Sequence, residues 1–341
     1  MSGGVDSSVS AALLVEAGYH VEGVFLKVWS DDDAANELIE CPWEADLADA
    51  QAVAKQLGIP LHIKNVQREY FARVVEVMKA GYAQGETPNP DVLCNSEVKF
   101  GILYDWAMEQ GFDAVATGHY AQVVNGQLQT AADAFKDQTY FLWRVTHERF
   151  EHILFPIGHL TKPQVRAEAL RLQLPNATKP DSQGICFLGK VDVRTWLARE
   201  LNTVPGPVLN QSGKHVGTHA GAGLYTIGQR HGLGLPGGSD PQYVVARDIA
   251  ANTLVVSDRA ALDVTTIRAG QLNWHVDSSA LNGELVEVRI RHQGERISGV
   301  LTLEPNGGVV LQLTKPAVGV ATGQSVVLYR DTFVLAGGII Q

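Results

Sequence analysis

A chain of 341 residues exceeds what one hydrophobic core ordinarily serves, so two to three domains are expected. Its 45% hydrophobic and 19% charged residues exclude long disordered or collagen-like stretches, and its net charge of −10 excludes a globally basic nucleic-acid binder. No apolar run approaches a membrane span, and the first twenty residues hold Asp6 and Glu16 but no Lys or Arg. Neither a signal peptide nor a membrane anchor is therefore expected, and the chain reads as cytoplasmic.

In chain order, a helix is expected over 7–17, stopped by Gly18, then a strand over 21–28 and a helix over 42–57 with Pro42 in its first turn and Gly58 beyond its end. Between Lys27 and Lys55 lies an acidic run from Asp31 to Asp49, read as a solvated loop and the face of the helix that follows. Strands are expected over 61–66 and 114–117, and helices over 96–110 and 193–201. Such alternation implies a parallel sheet covered by helices. All of the excess acid lies in this half: residues 191–341 carry 12 basic and 12 acidic side chains. After about residue 203 the texture changes to glycine-rich turns and short strands, as in GTHAGAGLYTIGQRHGLGLPGG. From Leu285 the pattern alternates, with Val286, Val288 and Ile290 on one face and Glu287, Arg289 and Arg291 on the other, as in the half-buried strands of a small barrel. His215 and His219 are four apart, but Gly217 between them argues against a helical metal pair, so they read as loop histidines and no metal centre is expected.

The strongest chemical signal is SGGVDSS, Ser2 to Ser8, running straight into the apolar helix of Val9, Ala12, Leu13 and Val15. Two glycines let the backbone turn tightly and bring N–H groups close to an anion, and the helix adds its positive end. Ser2, Ser7 and Ser8 offer hydroxyls to phosphate, and Asp6 offers a carboxylate to the magnesium that travels with a nucleotide. The pattern lacks G-x-x-x-x-G-K-[ST], so it is not a Walker loop. It resembles the SGGxDS motif of the PP-loop ATP pyrophosphatases, whose members adenylate a carbonyl oxygen and release pyrophosphate.

Three cysteines, Cys41, Cys94 and Cys186, are odd in number and show no C-x-x-C spacing, which argues against a disulfide framework or a zinc knuckle. Cys94 lies in TPNPDVLCN with Asp91, in a proline-stiffened loop just ahead of a helix, where a helix N-terminus lowers a thiol pKa. Cys186 lies in KPDSQGICFLG, a second loop punctuated by Pro and Gly. Cys41, in a bare C-P-W context, reads as structural. Two loop thiols in one nucleotide-binding chain suggest sulfur transfer, because exchange needs one attacking thiolate and one departing sulfur.

Taken together, SGGVDSS, TPNPDVLCN, ATGHY, KDQTYFLW, DSQGICFLG and YTIGQRHGLG, in this order, resemble the tRNA-specific 2-thiouridylase (MnmA) family over essentially the whole chain. The resemblance implies an α/β PP-loop domain over 1–192, a central β-rich domain over 193–258 and a C-terminal β-barrel over 259–341. It implies ATP-dependent 2-thiolation of the wobble uridine of tRNA, with ATP and Mg²⁺ and a persulfide donor or relay protein as partner. Cys186 would carry the persulfide, Cys94 would resolve it and Asp91 would move a proton. Ser2, Gly3, Gly4, Val5, Asp6, Ser7, Leu26 and Gly118 would bind ATP. Asn89, Pro90, Asp91, His119, Lys136, Asp137, Gln138, Arg291, His292 and Gln324 would contact tRNA. Family members carry a central strand immediately before the phosphate loop. Here Met1 directly precedes Ser2, so that strand is expected to be encoded upstream. Two other readings are a PP-loop ligase that uses ammonia, and a tRNA-binding chain that has lost catalysis with its first strand.

Overall fold

The computed structural model describes residues 1–28, 43–181, 193–235 and 240–341. The chain divides into two compact units, the first made of Met1–Val74, Asp91–Val191 and Thr332–Val334, the second of Val75–Pro90, Asp192–Asp331 and Leu335–Gln341.

The first unit begins with helix α1 (Val5–Glu16), strand β1 (Gly23–Lys27), helix α2 (Trp43–Leu57) and strand β2 (Leu61–Asn65). β1 and β2 pair in parallel with Phe25 opposite Ile63, as a strand–helix–strand crossover requires. After α3 (Gln67–Tyr70), a π-helical stretch (Phe71–Val75) leads to α4 (Glu76–Ala83), which counts with the second unit. Next comes one continuous helical run: α5 (Pro90–Leu93), a π-helical stretch (Cys94–Ile102) and α6 (Leu103–Glu109). Strand β3 (Val115–Ala116), the antiparallel hairpin β4 (Ala121–Val124) and β5 (Gln127–Thr130), strand β6 (Ile153–Leu154) and helix α7 (Lys162–Arg171) complete the unit, with β3 and β6 parallel. Val5, Val9 and Ala12 form a helical stripe on α1 that packs on Val53 of α2, Val165 and Ala169 of α7, and Ile157. Burying each large aliphatic side chain of this kind contributes about 1.5–3 kcal/mol. The expected alternation of helices and parallel strands is therefore present.

The helix expected over 96–110 begins six residues earlier. Proline suits the first helical position, because its fixed φ is already helical and its missing N–H has no partner to lose there. Pro90 thus opens the helix, and Asp91 and Cys94 lie in its first turns rather than in a loop.

In the second unit, α8 (Val193–Glu200) precedes a four-stranded sheet of β7 (Gly206–Asn210), β8 (His215–His219), β9 (Tyr243–Asp248) and β10 (Thr253–Ser257), in the order β8-β7-β10-β9. His215 and His219 therefore bound a strand, not a loop. His219 is buried, with Nε2 against the Asn252 carbonyl at 3.1 Å and Nδ1 accepting the Gly221 N–H at 2.9 Å. The remaining strands are β11 (Asp263–Trp274), β12 (Leu285–Arg289), β13 (Ile297–Leu303), β14 (Val309–Val318), β15 (Ser325–Arg330) and β16 (Phe333–Ile340). Their order, β11-β14-β13-β12-β15-β16, closes through β11–β16 into a six-stranded barrel. Val286, Val288 and Ile290 face its core with Leu301, Leu311 and Leu328, as the alternation on β12 requires. Closure removes the exposed strand edges that an open sheet of this kind would present.

Candidate active site

The glycine turn sets the geometry. Gly4 is the N-cap of α1, and no side chain caps the helix there, so its first N–H groups are left for an external acceptor. The carbonyls of the turn point inward instead. Gly4 O accepts hydrogen bonds from the Ser7 and Ser8 hydroxyls at 3.1 and 2.9 Å, and Gly3 O accepts one from Asn176 Nδ2 at 2.9 Å. Ser2 Oγ lies 3.2 Å from Ser7 Oγ, placing two hydroxyls together at the mouth. Val5, the first residue of α1, is buried beneath them. Gly3 has φ +74°, and a Cβ there would meet the Asp46 carbonyl oxygen of α2 at 2.2 Å. From the other side Gly118 packs flush on the turn, since a Cβ would lie 2.6 Å from Ser7 N and 2.7 Å from Asp6 C. These close approaches make a cradle that only glycine allows. It fits the triphosphate that the SGGVDSS pattern implies. Leu26 is half-buried near the C-terminal end of β1, the edge where open α/β sheets take ligands.

Cations gather beside this cradle. Asp6 Oδ1 accepts from Tyr120 OH at 3.0 Å and from Lys162 Nζ at 2.7 Å. Lys162 also reaches Asp181 Oδ1 at 2.8 Å, and Asp181 binds Arg166 at 2.6 Å and Lys136 at 2.9 Å. Burial works against the Asp181 carboxylate, yet hydrogen bonds from Lys162 and Lys136 hold its pKa well below the usual carboxylate range. Burial and the neighbouring Asp6 push the Tyr120 phenol far up, so it remains an O–H donor. Among the described residues no group of three or more His, Cys, Asp or Glu side chains forms a metal cage. Asp6, the second residue of α1, is the carboxylate that would hold Mg²⁺, which keeps several waters and takes few protein ligands.

The helix that bears Cys94 also bears Lys99, which reaches toward the cradle. Cys94 is 4% exposed and sits one helical turn after Asp91, the spacing at which two side chains share a face. Asn95 anchors this end of the helix by donating to the Phe141 carbonyl at 3.1 Å. Burial raises the Asp91 pKa, with the nearby Lys99 ammonium opposing it, so this carboxyl holds its proton to higher pH than a solvated one. Lys99 Nζ lies 3.5 Å from His119 Nε2, and His119 Nδ1 lies 2.8 Å from Thr117 Oγ1. An ammonium only donates, so Nε2 accepts and Nδ1–H donates to the threonine. Gly118, next to His119, packs on Asp6 and Ser7, which completes the path from Lys99 to the glycine turn.

His119 itself is 7% exposed, with its ring 5.7 Å from Phe100 and 6.0 Å from Phe155, so it is packed inside rather than presented on the surface. Burial first, and Lys99 second, lower its pKa well below 6.5. A histidine buried neutral adds stability above its unfolded pKa, and that stability is lost as pH falls below about 6.5 toward the folded value. The wild-type chain is therefore expected to lose denaturation midpoint between pH 7.5 and 5 more steeply than His119→Gln. Parallel profiles for the two proteins would refute the assignment.

Asp137 is also placed inside. Its carboxylate accepts Thr139 Oγ1 at 2.9 and 3.0 Å and Ala131 N–H at 3.2 Å, which holds the turn that carries Lys136 and Gln138. Gln138 Oε1 accepts the Tyr120 N–H at 2.9 Å. Lys136, whose side chain is 41% exposed, remains accessible. In the second unit, Asn89 is half-buried and Pro90 buried. The segment ahead of them is pinned by Thr87 N–H to Thr322 O at 2.9 Å and by Arg247, which donates to Gly85 O, Tyr225 O and, at 3.2 Å, Thr87 Oγ1. A Cβ on Gly323 would sit 2.6 Å from Glu86 Cβ, so the turn carrying Gln324 is docked on the segment that leads to Asn89. Arg291 is exposed and donates to Val318 O at 3.3 Å, with half-buried His292 beside it. Cys186 and Cys41 lie outside the described residues. Sequence reasoning passed over Lys162, Asn176, Lys179 and Arg247, because no local pattern marks a side chain that acts across more than 150 residues of chain.

Comparison with known proteins agrees with this geometry. Residues 1–190 match the tRNA methyl transferase HUP domain, residues 194–258 the tRNA methyl transferase PRC-barrel domain, and residues 264–340 the aminomethyltransferase beta-barrel domain. The chain is 44% identical over 354 residues to the tRNA-specific 2-thiouridylase MnmA of Klebsiella pneumoniae and 44% identical over 355 residues to that of Pectobacterium atrosepticum. Each alignment covers 100% of this chain and 95% of the relative. The corresponding protein of Yersinia enterocolitica is 43% identical over 354 residues, covering 100% and 94%. With such identity across its whole length, the chain belongs to the tRNA-specific 2-thiouridylase (MnmA) family.

Proposed function

We propose that this chain is an ATP-dependent tRNA-uridine 2-sulfurtransferase that acts on the wobble uridine. The observation that carries the reading is the uncapped α1 N-terminus, joined through Gly118, His119 and Lys99 to the helix that bears Asp91 and Cys94. Methyl transfer, the chemistry in the description of the matched domains, has no use for a triphosphate cradle.

ATP lays its polyphosphate on the glycine turn, where amides fixed in advance stabilise developing charge without reorganising. The uridine C2 oxygen attacks the α-phosphorus, pyrophosphate departs, and the resulting C2–O–AMP bond converts a poor leaving oxygen into a good one. Bound at Asp6 and phosphate oxygens, Mg²⁺ would supply charge neutralisation. Sulfur comes from a persulfide on Cys186, loaded by a donor protein. Cys94 thiolate attacks the inner sulfur, giving a Cys94–Cys186 disulfide and hydrosulfide, and hydrosulfide displaces AMP from C2. If the terminal persulfide sulfur attacks C2 first, AMP leaves and Cys94 then cleaves the mixed disulfide to the same products. Either order leaves a disulfide that an external dithiol must reduce. Asp91, with its raised pKa, moves the proton at the base. Lys136, Gln138, Asn89, Pro90, Arg291, His292 and Gln324 are the tRNA contacts this reading assigns. No helix among the described residues is long and apolar enough to cross a membrane, and we place the reaction in the cytoplasm.

Incubating the chain with unmodified tRNA, ATP, Mg²⁺ and sulfide or a persulfide donor is expected to yield 2-thiouridine, AMP and pyrophosphate in equal amounts, scored by mass spectrometry. A requirement for ammonia would favour a different PP-loop ligase. Binding of tRNA with no AMP formed would reduce the chain to an RNA-binding protein.

A further inference from the structure

An anion cradle works only while its N–H groups face the ligand. In a trans peptide the C=O and N–H point in opposite directions, so whatever holds the Gly3 carbonyl also aims the Gly4 N–H. A glycine pair is the sequence least able to hold that orientation unaided, because both residues tolerate the flipped peptide. Two side chains outside the motif supply the hold. Asn176 is 4% exposed, and its Nδ2 donates to Gly3 O at 2.9 Å and to Ser8 Oγ at 3.0 Å. Ser8 Oγ in turn donates to Gly4 O at 2.9 Å, so one amide group secures both carbonyls of the turn. Lys179 Nζ adds a second bond to Gly3 O at 3.3 Å and is itself fixed by Asp46 at 2.6 Å and Asp49 at 2.5 Å.

The segment that carries both residues is itself braced. Arg166 of α7 donates to the carbonyls of Ala177 and Lys179 at 3.1 and 2.5 Å, and the Lys179 N–H closes a turn onto Asn176 O at 3.0 Å. With two carboxylates on its ammonium, Lys179 brings no surplus positive charge to the cradle, which suits a strut better than a phosphate ligand. We infer that Asn176 and Lys179 are positioning residues that lock the Gly3–Gly4 peptide with its N–H outward and thereby set the affinity for the triphosphate. This rests on the ATP-binding reading above.

The test separates nucleotide grip from general folding. Asn176→Asp keeps the size but replaces the donor with oxygen facing two oxygens. Lys179→Met removes the second bond at a partly exposed site, and Lys179→Arg retains a donor. In the intact 341-residue chain, the first two variants are expected to raise the KM for ATP and the Kd for inorganic pyrophosphate tenfold or more. The KM for tRNA should stay within twofold of wild type, and Lys179→Arg should recover most of the loss. Unchanged KM for ATP in Lys179→Met and in folded Asn176→Asp overturns the inference, as does an equal fall in every parameter that tracks the melting temperature. Should Asn176→Asp fail to fold, Lys179→Met and Lys179→Arg decide alone. Absence of pyrophosphate and ATP binding by the wild-type chain would overturn the ATP reading itself, and the inference with it.

Discussion

Replacement of Gly3 by alanine is expected to lower kcat/KM for ATP by at least about 100-fold, because a misplacement of roughly 1 Å at a positioned group costs on that order. Two physical terms act together at this residue. Its φ of +74° costs an L-residue about 1–2 kcal/mol. The added methyl would also lie 2.2 Å from the Asp46 carbonyl oxygen, a backbone atom in α2 that cannot rotate away as a side chain would. The turn has to move instead, and its N–H groups move with it. Gly118→Ala should act from the opposite side, against Ser7 N and Asp6 C. Gly58→Ala is the matched control, since φ is +68° but nothing lies within 4 Å of a Cβ there. It should lose stability while leaving the KM for ATP unchanged. Steady-state kinetics beside thermal melts would check all three, and an ordinary KM for ATP in Gly3→Ala would contradict the cradle.

Serine at Cys186 or Cys94 is expected to abolish thiolation from a persulfide donor, by at least about 10³-fold, as loss of a nucleophile does. ATP binding should remain close to wild type, because neither thiol belongs to the glycine turn. The two variants should differ in what accumulates. Cys94→Ser retains a persulfide on Cys186, whereas Cys186→Ser never acquires one. Sulfur-35 transfer from donor to protein, followed by gel analysis, distinguishes them. Persistence of thiolation from free sulfide in Cys186→Ser would select hydrosulfide as the attacking species. Full persulfide-dependent transfer in either variant would remove that thiol from the reaction.

The parts of the site that were legible in the sequence are those that a short stretch of chain builds alone. The glycine pair, the serines and the apolar run of SGGVDSS describe a turn and a helix start that need no partner to be recognised, and α1 begins there. The alternation from Leu285 likewise encodes one face of β12, with Val286 and Val288 buried. Harder to see was the true start of the thiol helix. Pro88 and Pro90 read as loop residues, yet Pro90 satisfies the first helical position and draws Asp91 and Cys94 into the helix. The burial of two ionisable residues was not legible either: Thr139 satisfies the Asp137 carboxylate, and Phe100 with Phe155 packs the His119 ring. Asn176, Lys179 and Lys162 have no local signature at all. Their function arises only when α7 and the segment after it fold against a turn at the other end of the unit, a contact that periodicity and propensity do not encode.

The central claim is that nucleotide energy is spent on the uridine C2 oxygen so that sulfur can replace it. Transfer RNA carrying oxygen-18 at C2 of the target uridine tests this directly in a single turnover with ATP and a sulfur source. One atom of label should appear in the phosphate of AMP for each 2-thiouridine formed, with none in pyrophosphate. Unlabelled AMP accompanying 2-thiouridine, or label released to water, would contradict adenylation of that oxygen.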